Sequence, residues 1–301
     1  MEKTDGKNYR SPLKPTWCKG CSYFCVLNSL VNLFETKDLA PRDVTVVSGI
    51  GCSSRLPFFL NTFAMHTLHG RALPVATGAH LSNPNIPVIV VGGDGDLFSI
   101  GATHFVHAAR RNIDLTVICL NNRVYAMTKG QSSPTSKVNY KGTLTPQGEV
   151  SSPLNTIELS IVSGASLVCR SHCGDMHHLK TLVKRAFEHK GFSYLEILSP
   201  CKTFDKESSV PGIASRVIDI NQSWKHTYTD RKSALKVAAK AYAFDTDKQQ
   251  AIPVGVFWEE HKEHYREQLV KMVEKSEGKN AMDKIVSTSE VKYFSKSNSE
   301  Q

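Results

Sequence analysis

Residues 92–96 read GGDGD and directly follow the apolar run 86–91, IPVIVV. A plain turn uses one or two glycines and has no need of paired acids at the end of a core strand. Asp94 offers a carboxylate oxygen, and Asn122, in the pair Asn121-Asn122, offers an amide oxygen. Both are hard donors that suit Mg2+ or Ca2+, and Mg2+ takes few side chains when phosphate oxygens and water complete its shell. Gly92, Gly93 and Gly95 precede a helix expected to open near Ser99, and the N–H groups and positive dipole end of such a helix suit a phosphate. The combination reads as a seat for a diphosphate held through Mg2+. No Gly-Lys-Ser/Thr follows, so it is no P-loop, and GDGDLFSIG lacks the G-x-G-x-x-G spacing of a dinucleotide fold.

A second chemistry resides in the eight cysteines. Cys18-Lys19-Gly20-Cys21 is a C-x-x-C pair ahead of a helix, and Cys52 and Cys201 each stand just beyond an apolar run. Four thiolates hold zinc or a 4Fe–4S cluster equally well, and spacing does not separate the two. Cys119 and Cys169 fall in core strands, and Cys25 and Cys173 are read as packing residues. His104 and His107 stand at i, i+3 without a carboxylate in register, and His177-His178 point two ways, so neither pair is assigned a ligand role.

These residues need a frame. Short β-branched or apolar runs at 44–48, 86–91, 114–120, 164–169 and 193–198 read as strands, and 252–257 as a further short one. Helical patterns occupy 21–35, 58–69, 71–80, 99–111, 175–189 (capped by Asp175), 232–243 and 259–275. Residues 1–16 read as an irregular arm and 129–153 as a long loop, which in a compact domain is usually functional. Strands alternating with helices predict a doubly wound, mostly parallel α/β sheet over 1–205, with 206–301 as a C-terminal extension whose end is loose. Cys52, Asp94, Asp96, Asn121, Asn122 and Cys201 all lie just past a predicted strand. In a parallel open sheet those ends share one edge, where ligands bind, so the six converge on one crevice.

The 301 residues carry a net charge of +9, with cations scattered and densest after 260. Neither a recognition helix nor a basic stripe with interleaved aromatics is present, which argues against nucleic acid and leaves a solvated surface or an acidic protein partner. No apolar run approaches the length of a membrane span and the polar N-terminus is no secretory signal, so a cytoplasmic protein is expected.

GDG followed about thirty residues later by NN resembles the thiamine-diphosphate signature. With WCKGC at 17–21, GIGCSSR at 49–55, HTLHGRALP at 66–74, NNRVYAMTKGQSSPTS at 121–136 and SPC at 199–201, the chain resembles the β subunit of 2-oxoacid:ferredoxin oxidoreductases, most of all the 2-oxoglutarate type. The likeness is strong over 10–205 and weak at IPVGVFWEE, 252–260.

That resemblance implies a fold of the diphosphate-binding half type. It implies Mg2+ on Asp94, Asn122 and the carbonyl of Val124, and thiamine diphosphate lined by Ser53, Ser54, His69, Gly93, Gly95, Asp96, Met127 and Thr128. It implies one 4Fe–4S cluster on Cys18, Cys21, Cys52 and Cys201, with Arg55 meeting the substrate and Met127 on the substrate side. The implied reaction is the reversible oxidative decarboxylation of a 2-oxoacid to an acyl-coenzyme A, with electrons leaving through the cluster to ferredoxin. An arginine at 55 suits a dicarboxylic substrate by bidentate pairing.

The activating glutamate of thiamine enzymes belongs to a pyrimidine-binding domain that this chain lacks, so an α-type partner and an (αβ)2 assembly are implied. Lys19 stands where the family places proline. The rival readings are a non-redox thiamine decarboxylase or synthase with structural zinc, and a non-catalytic zinc-stabilised docking module.

Overall fold

The computed structural model describes residues 8–242 and 250–277. Its frame is an eight-stranded sheet in the order β2-β1-β3-β4-β8-β7-β10-β9. The strands are β1 (Thr45–Ser48), β2 (Phe63–His66), β3 (Val88–Gly93), β4 (Leu115–Asn121), β7 (Leu167–His172), β8 (Phe192–Leu198), β9 (Val217–Asp219) and β10 (Ile252–Glu259). A separate hairpin pairs β5 (Val124–Tyr125) with β6 (Gln131–Ser132). Every pairing in the main sheet is parallel except β10 on β7. This is the mostly parallel α/β architecture expected.

Parallel strands need crossovers, and the crossover helices cover both faces. The central strands are therefore buried on both sides, which is why they read as continuous apolar runs. Along β4 the side chains alternate. Leu115, Val117 and Cys119 join α2 (Ala72–Ser82), α4 (Ala102–Arg110), α5 (Thr156–Ser163) and α9 (Arg231–Tyr242) on one face. Ile118 and Leu120 join α1 (Tyr23–Thr36) and α6 (Met176–Glu188) on the other. Each such fully buried branched side chain contributes about 1.5–3 kcal/mol.

Helix α6 begins as expected, with the Asp175 carboxylate accepting from the N–H groups of His177 and His178. Two expectations fail. Residues 58–69 are not helical: a 3-10 segment, Ser53–Phe59, gives way to β2 at the edge of the sheet. Phe59 and Leu60 are buried, whereas Phe63 and Met65 are exposed on an edge strand rather than gathered on a helical face. Nor does the helix after β3 wait for Ser99. A short helix α3, Asp94–Phe98, starts on the GDGD segment itself, and α4 follows it.

The region expected as an extension, 206–301, contributes to the core sheet. In its described part β10 enters the main sheet beside β7, with a bulge between Val256 and Trp258, and β9 flanks β10. Short helices α7 (Val210–Ala214) and α8 (Ile220–Ser223) carry no clear sequence pattern. Helix α10 (Tyr265–Glu277) sits at the edge where strands begin: the Tyr265 N–H donates to the Asn112 carbonyl, and Lys262 Nζ to that of Gly164. The end expected to be loose lies outside the described residues.

Candidate active site

At the carboxyl edge of the sheet a cavity of about 470 Å3 opens between the ends of β1, β3 and β4. Its walls include Gly51, Cys52, Ser53, His69, Gly93, Asp94, Gly95, Asp96, Asn122, Val124, Met127 and Thr128. Tyr23, Ile50, Tyr125, Ala126, Gln131, Ser132 and Leu144 complete the lining, and nothing in their residue types singles them out in the sequence. Gly95 is glycine for a steric reason: a Cβ there would stand 2.3 Å from the Tyr125 ring. Gly93 likewise brings bare backbone to the cavity wall: a Cβ there would stand 3.0 Å from Ser53 Oγ.

Asp94 is 1% exposed. One of its oxygens, Oδ2, accepts from Ser133 Oγ at 2.5 Å and from Thr135 Oγ1 at 2.6 Å. Burial raises its pKa, and the two hydroxyls oppose the rise. The long loop after β4 thus folds back and clamps the carboxylate. Asn122 Oδ1 accepts from the Val124 N–H at 3.2 Å, and Arg123 between them takes the left-handed conformation, φ +60°. Asp94, Asn122 and Val124 all line the cavity and offer a carboxylate, an amide oxygen and a backbone carbonyl. This donor set fits a hard divalent cation with phosphate oxygens.

Asp96 does something else. Its Oδ1 accepts from the backbone N–H groups of Ile50 and Gly70 at 3.0 and 2.8 Å, and His69 Nδ1 lies 3.1 Å away. It ties the turn after β1 to the turn after β2 and orients the imidazole over the cavity. Its Oδ2 is buried without a partner, and burial raises its pKa against the pull of the two N–H groups.

The four thiols adjoin this cavity. Burial pushes the Cys21 thiol up to about 11, and Cys18, Cys201 and Cys52 add to the rise. Burial also raises Cys52, with Cys201 and Cys18 contributing and Arg55 opposing. All four are therefore electrostatic neighbours, Cys18 exposed and the others partly so. Trp17 secures the loop: its Nε1 donates to the Cys52 carbonyl at 2.7 Å, and its ring meets Tyr23, Phe24 and Phe59 edge-on. Lys202 Nζ donates to the Lys19 carbonyl at 3.0 Å, and Thr203 Oγ1 lies 3.7 Å from Cys18 Sγ.

Among the described residues no three ligating side chains surround one point closely enough to hold a metal ion. The donor chemistry still fits a thiophilic centre: clustered thiolates repel one another, and a cation between them removes the repulsion.

The structure thus brings Ser53, His69, Gly93, Asp94, Gly95, Asp96, Asn122, Val124, Met127 and Thr128 to one cavity. Ser54 and Arg55 are not in its wall. Ser54 is fully buried with its Oγ unpartnered, and Arg55 lies on the 3-10 segment near Cys52. Cys119, Cys169 and Cys173 are buried, and Cys25 packs partly buried against the α1–α6 core. Among the described residues no helix is long and apolar enough to cross a membrane.

Residues 49–197 match the family described as thiamine pyrophosphate enzyme, C-terminal TPP binding domain. Residues 201–274 match the family described as the C-terminal part of the pyruvate ferredoxin oxidoreductase beta subunit. The β subunit of 2-oxoacid:ferredoxin oxidoreductase from Saccharolobus solfataricus is 40% identical over 247 residues, covering 81% of each chain. The 2-oxoglutarate synthase subunit KorB from Methanocaldococcus jannaschii is 36% identical over 259 residues, 86% of this chain and 93% of that one. A solved structure of 2-oxoglutarate:ferredoxin oxidoreductase from Magnetococcus marinus, with 2-oxoglutarate, coenzyme A and succinyl-CoA bound, superposes with a TM-score of 0.84. Identity there is 35%, with 96% of this chain and 97% of that chain covered.

Proposed function

The chain belongs to the family of 2-oxoacid:ferredoxin oxidoreductase β subunits, and from that membership we propose that it forms the thiamine- and cluster-bearing half of a 2-oxoglutarate:ferredoxin oxidoreductase. As a β subunit of an oxidoreductase it works with a partner subunit. The observation that carries the finer reading is a shared wall. Cys52 lines the cavity and is also the electrostatic neighbour of Cys18, Cys21 and Cys201, with Tyr23 beside it in the lining. A carbon-centred reaction in the cavity would stand one residue away from a thiol-bound electron acceptor.

In this reading Asp94, Asn122 and the Val124 carbonyl hold Mg2+ against the diphosphate of thiamine. Ser53, Ser54, His69, Gly93, Gly95, Asp96, Met127 and Thr128 bind and orient the cofactor. Bound thiamine diphosphate supplies the carbon nucleophile and electron sink that release CO2 from a 2-oxoacid. Cys18, Cys21, Cys52 and Cys201 would hold one 4Fe–4S cluster, which would supply a one-electron acceptor beside the cavity. His69, fixed by Asp96, keeps its ring over the cavity.

Arg55 meets a substrate carboxylate, and Met127 shapes the substrate side. Coenzyme A accepts the acyl group, and the reaction also runs toward CO2 fixation. The α-type partner supplies the glutamate that activates the aminopyrimidine, in an (αβ)2 assembly. The exposed Lys19 and Lys202 give the thiol rim a positive face that suits an acidic electron carrier such as ferredoxin. The solvated, cationic remainder of the surface needs no nucleic acid to account for it.

Anaerobic co-purification with the partner subunit, followed by iron, sulfide and zinc analysis beside the visible spectrum, tests the reading. The expected result is a brown protein with about four irons and four sulfides per chain, bleached by 2-oxoglutarate with coenzyme A. Zinc in a colourless protein would overturn the electron-transfer half.

A further inference from the structure

Behind the metal wall lies a buried polar chain that none of the roles above uses. Glu196, in the middle of β8, is 1% exposed. Its Oε1 accepts from Asn121 Nδ2 at 2.8 Å and from Thr156 Oγ1 at 2.7 Å. Its Oε2 accepts from Arg170 Nε at 2.5 Å, and Arg170 Nη1 also donates to the Ala241 carbonyl on α9. Burial alone would raise the Glu196 pKa. Arg170, Asn121 and Thr156 outweigh it and hold the carboxyl below the usual carboxylate range.

An ionised carboxylate only accepts, so it fixes which way the Asn121 amide faces. With Nδ2 held by Glu196, Oδ1 must face the opposite side. There it accepts from the Arg123 N–H at 3.0 Å and meets Thr135 Oγ1 at 3.0 Å. The first contact pins the left-handed turn at Arg123, and that turn separates Asn122 from Val124. In the second, Asn121 Oδ1 shares with Asp94 Oδ2 the single hydrogen of the Thr135 hydroxyl. Were the amide reversed, an NH2 group would face the Arg123 N–H, and the turn would lose its acceptor.

We propose that Glu196 is a positioning residue for the metal–diphosphate site, acting through Asn121 on Asp94, Asn122 and Val124 together. The inference rests on reading those three as Mg2+ ligands. Because Arg170 also holds α9, the same chain ties the C-terminal extension to the metal wall.

The test uses the assembled α–β complex stripped of Mg2+ and thiamine diphosphate. Mg2+ is titrated calorimetrically at saturating thiamine diphosphate, with thermal unfolding of the stripped complex and its iron content as controls. Glu196→Gln is expected to raise the Mg2+ dissociation constant at least tenfold with iron content unchanged. Thr135→Val is expected to do likewise, and Thr135→Ser, which keeps the hydroxyl, to restore it. Should Glu196→Gln fail to fold with Arg170 uncompensated, Glu196→Leu with Arg170→Leu removes both charges at similar volume and is expected to give the same weakening. Wild-type Mg2+ affinity in the folded Glu196 variants would overturn the proposal. Asp94→Asn separates this failure from a failure of the underlying reading: if it too binds Mg2+ and thiamine diphosphate normally, the ligand assignment itself is wrong.

Discussion

The wall around Asp94, proposed to hold Mg2+, and the thiol rim, proposed to hold the cluster, meet at Cys52, yet they are built in opposite ways. On the first the protein has done the positioning beforehand. Asp94 and the Asn121–Arg123 turn are buried or nearly so and hydrogen-bonded within the chain. On the rim the chain only gathers the donors. Cys18 is exposed, Cys21, Cys52 and Cys201 are partly exposed, and burial pushes the Cys21 thiol up to about 11. The difference teaches where the binding energy goes. A hard cation with several waters gains from a rigid wall. A cluster held wholly by thiolates brings its own geometry and organises the loop as it binds.

The comparison can be broken most directly at the thiols. Cys52→Ser combined with Cys201→Ser should abolish bound iron and all 2-oxoacid-dependent carrier reduction. Calorimetry should still find thiamine diphosphate and Mg2+ binding to that variant within about threefold of wild type, as separable sites require. Next in size, Asp94→Asn should weaken Mg2+-dependent cofactor binding by more than about 100-fold, since even outer-shell changes cost 10–100-fold. Its iron content, read by colorimetry, should stay that of wild type.

Trypsin sharpens the contrast. Removing iron should expose the peptide bond after Lys19 and speed cleavage there several-fold, on the order of the loosening that loss of a structural metal gives. Stripping Mg2+ should leave the digestion pattern as it was.

The smallest effect is in protons. Cys21, at about 11, is a thiol at pH 8 and must lose its proton on ligation, so iron–sulfur reconstitution should release protons measurably in weak buffer. Burial raises the Asp94 carboxyl above its ordinary value of 3.8, and Mg2+ binding favours its ionised form. Acidification should weaken Mg2+ binding as pH falls toward the raised Asp94 value, because the protonated carboxyl cannot ligate.

Much of this arrangement is legible in the residue string. The strands and the edge they share follow from apolar runs ending in glycine, asparagine or cysteine. Of those endings Cys52, Asp94, Asp96 and Asn122 line the cavity, whereas Ser53, His69, Met127 and Thr128 are expected there only from the family resemblance. The residues that hold the site together are not legible. Ser133, Thr135 and Glu196 are ordinary residue types far from Asp94 in sequence, and only the folded loop and the β4–β8 pairing bring them near.

Residues 58–69 deceive because an edge strand with exposed phenylalanine and methionine has the composition of a buried helix. The helical turn at Asp94–Phe98 is hidden by its two glycine neighbours, which propensity counts against a helix. Here Gly93 stands at the N-cap and lets the strand turn directly into the helix.

The return of β10 to the main sheet has a consequence for how the chain comes into being. Strand β7 ends at His172, but its outer neighbour begins only at Ile252. During synthesis the crevice residues and all the parallel strands leave the ribosome while the outer edge of β7 still shows unpaired backbone groups. An open edge of this kind pairs readily with another chain. A nascent or truncated polypeptide stopping before Ile252 is therefore exposed to aggregation despite holding nearly every residue of the site.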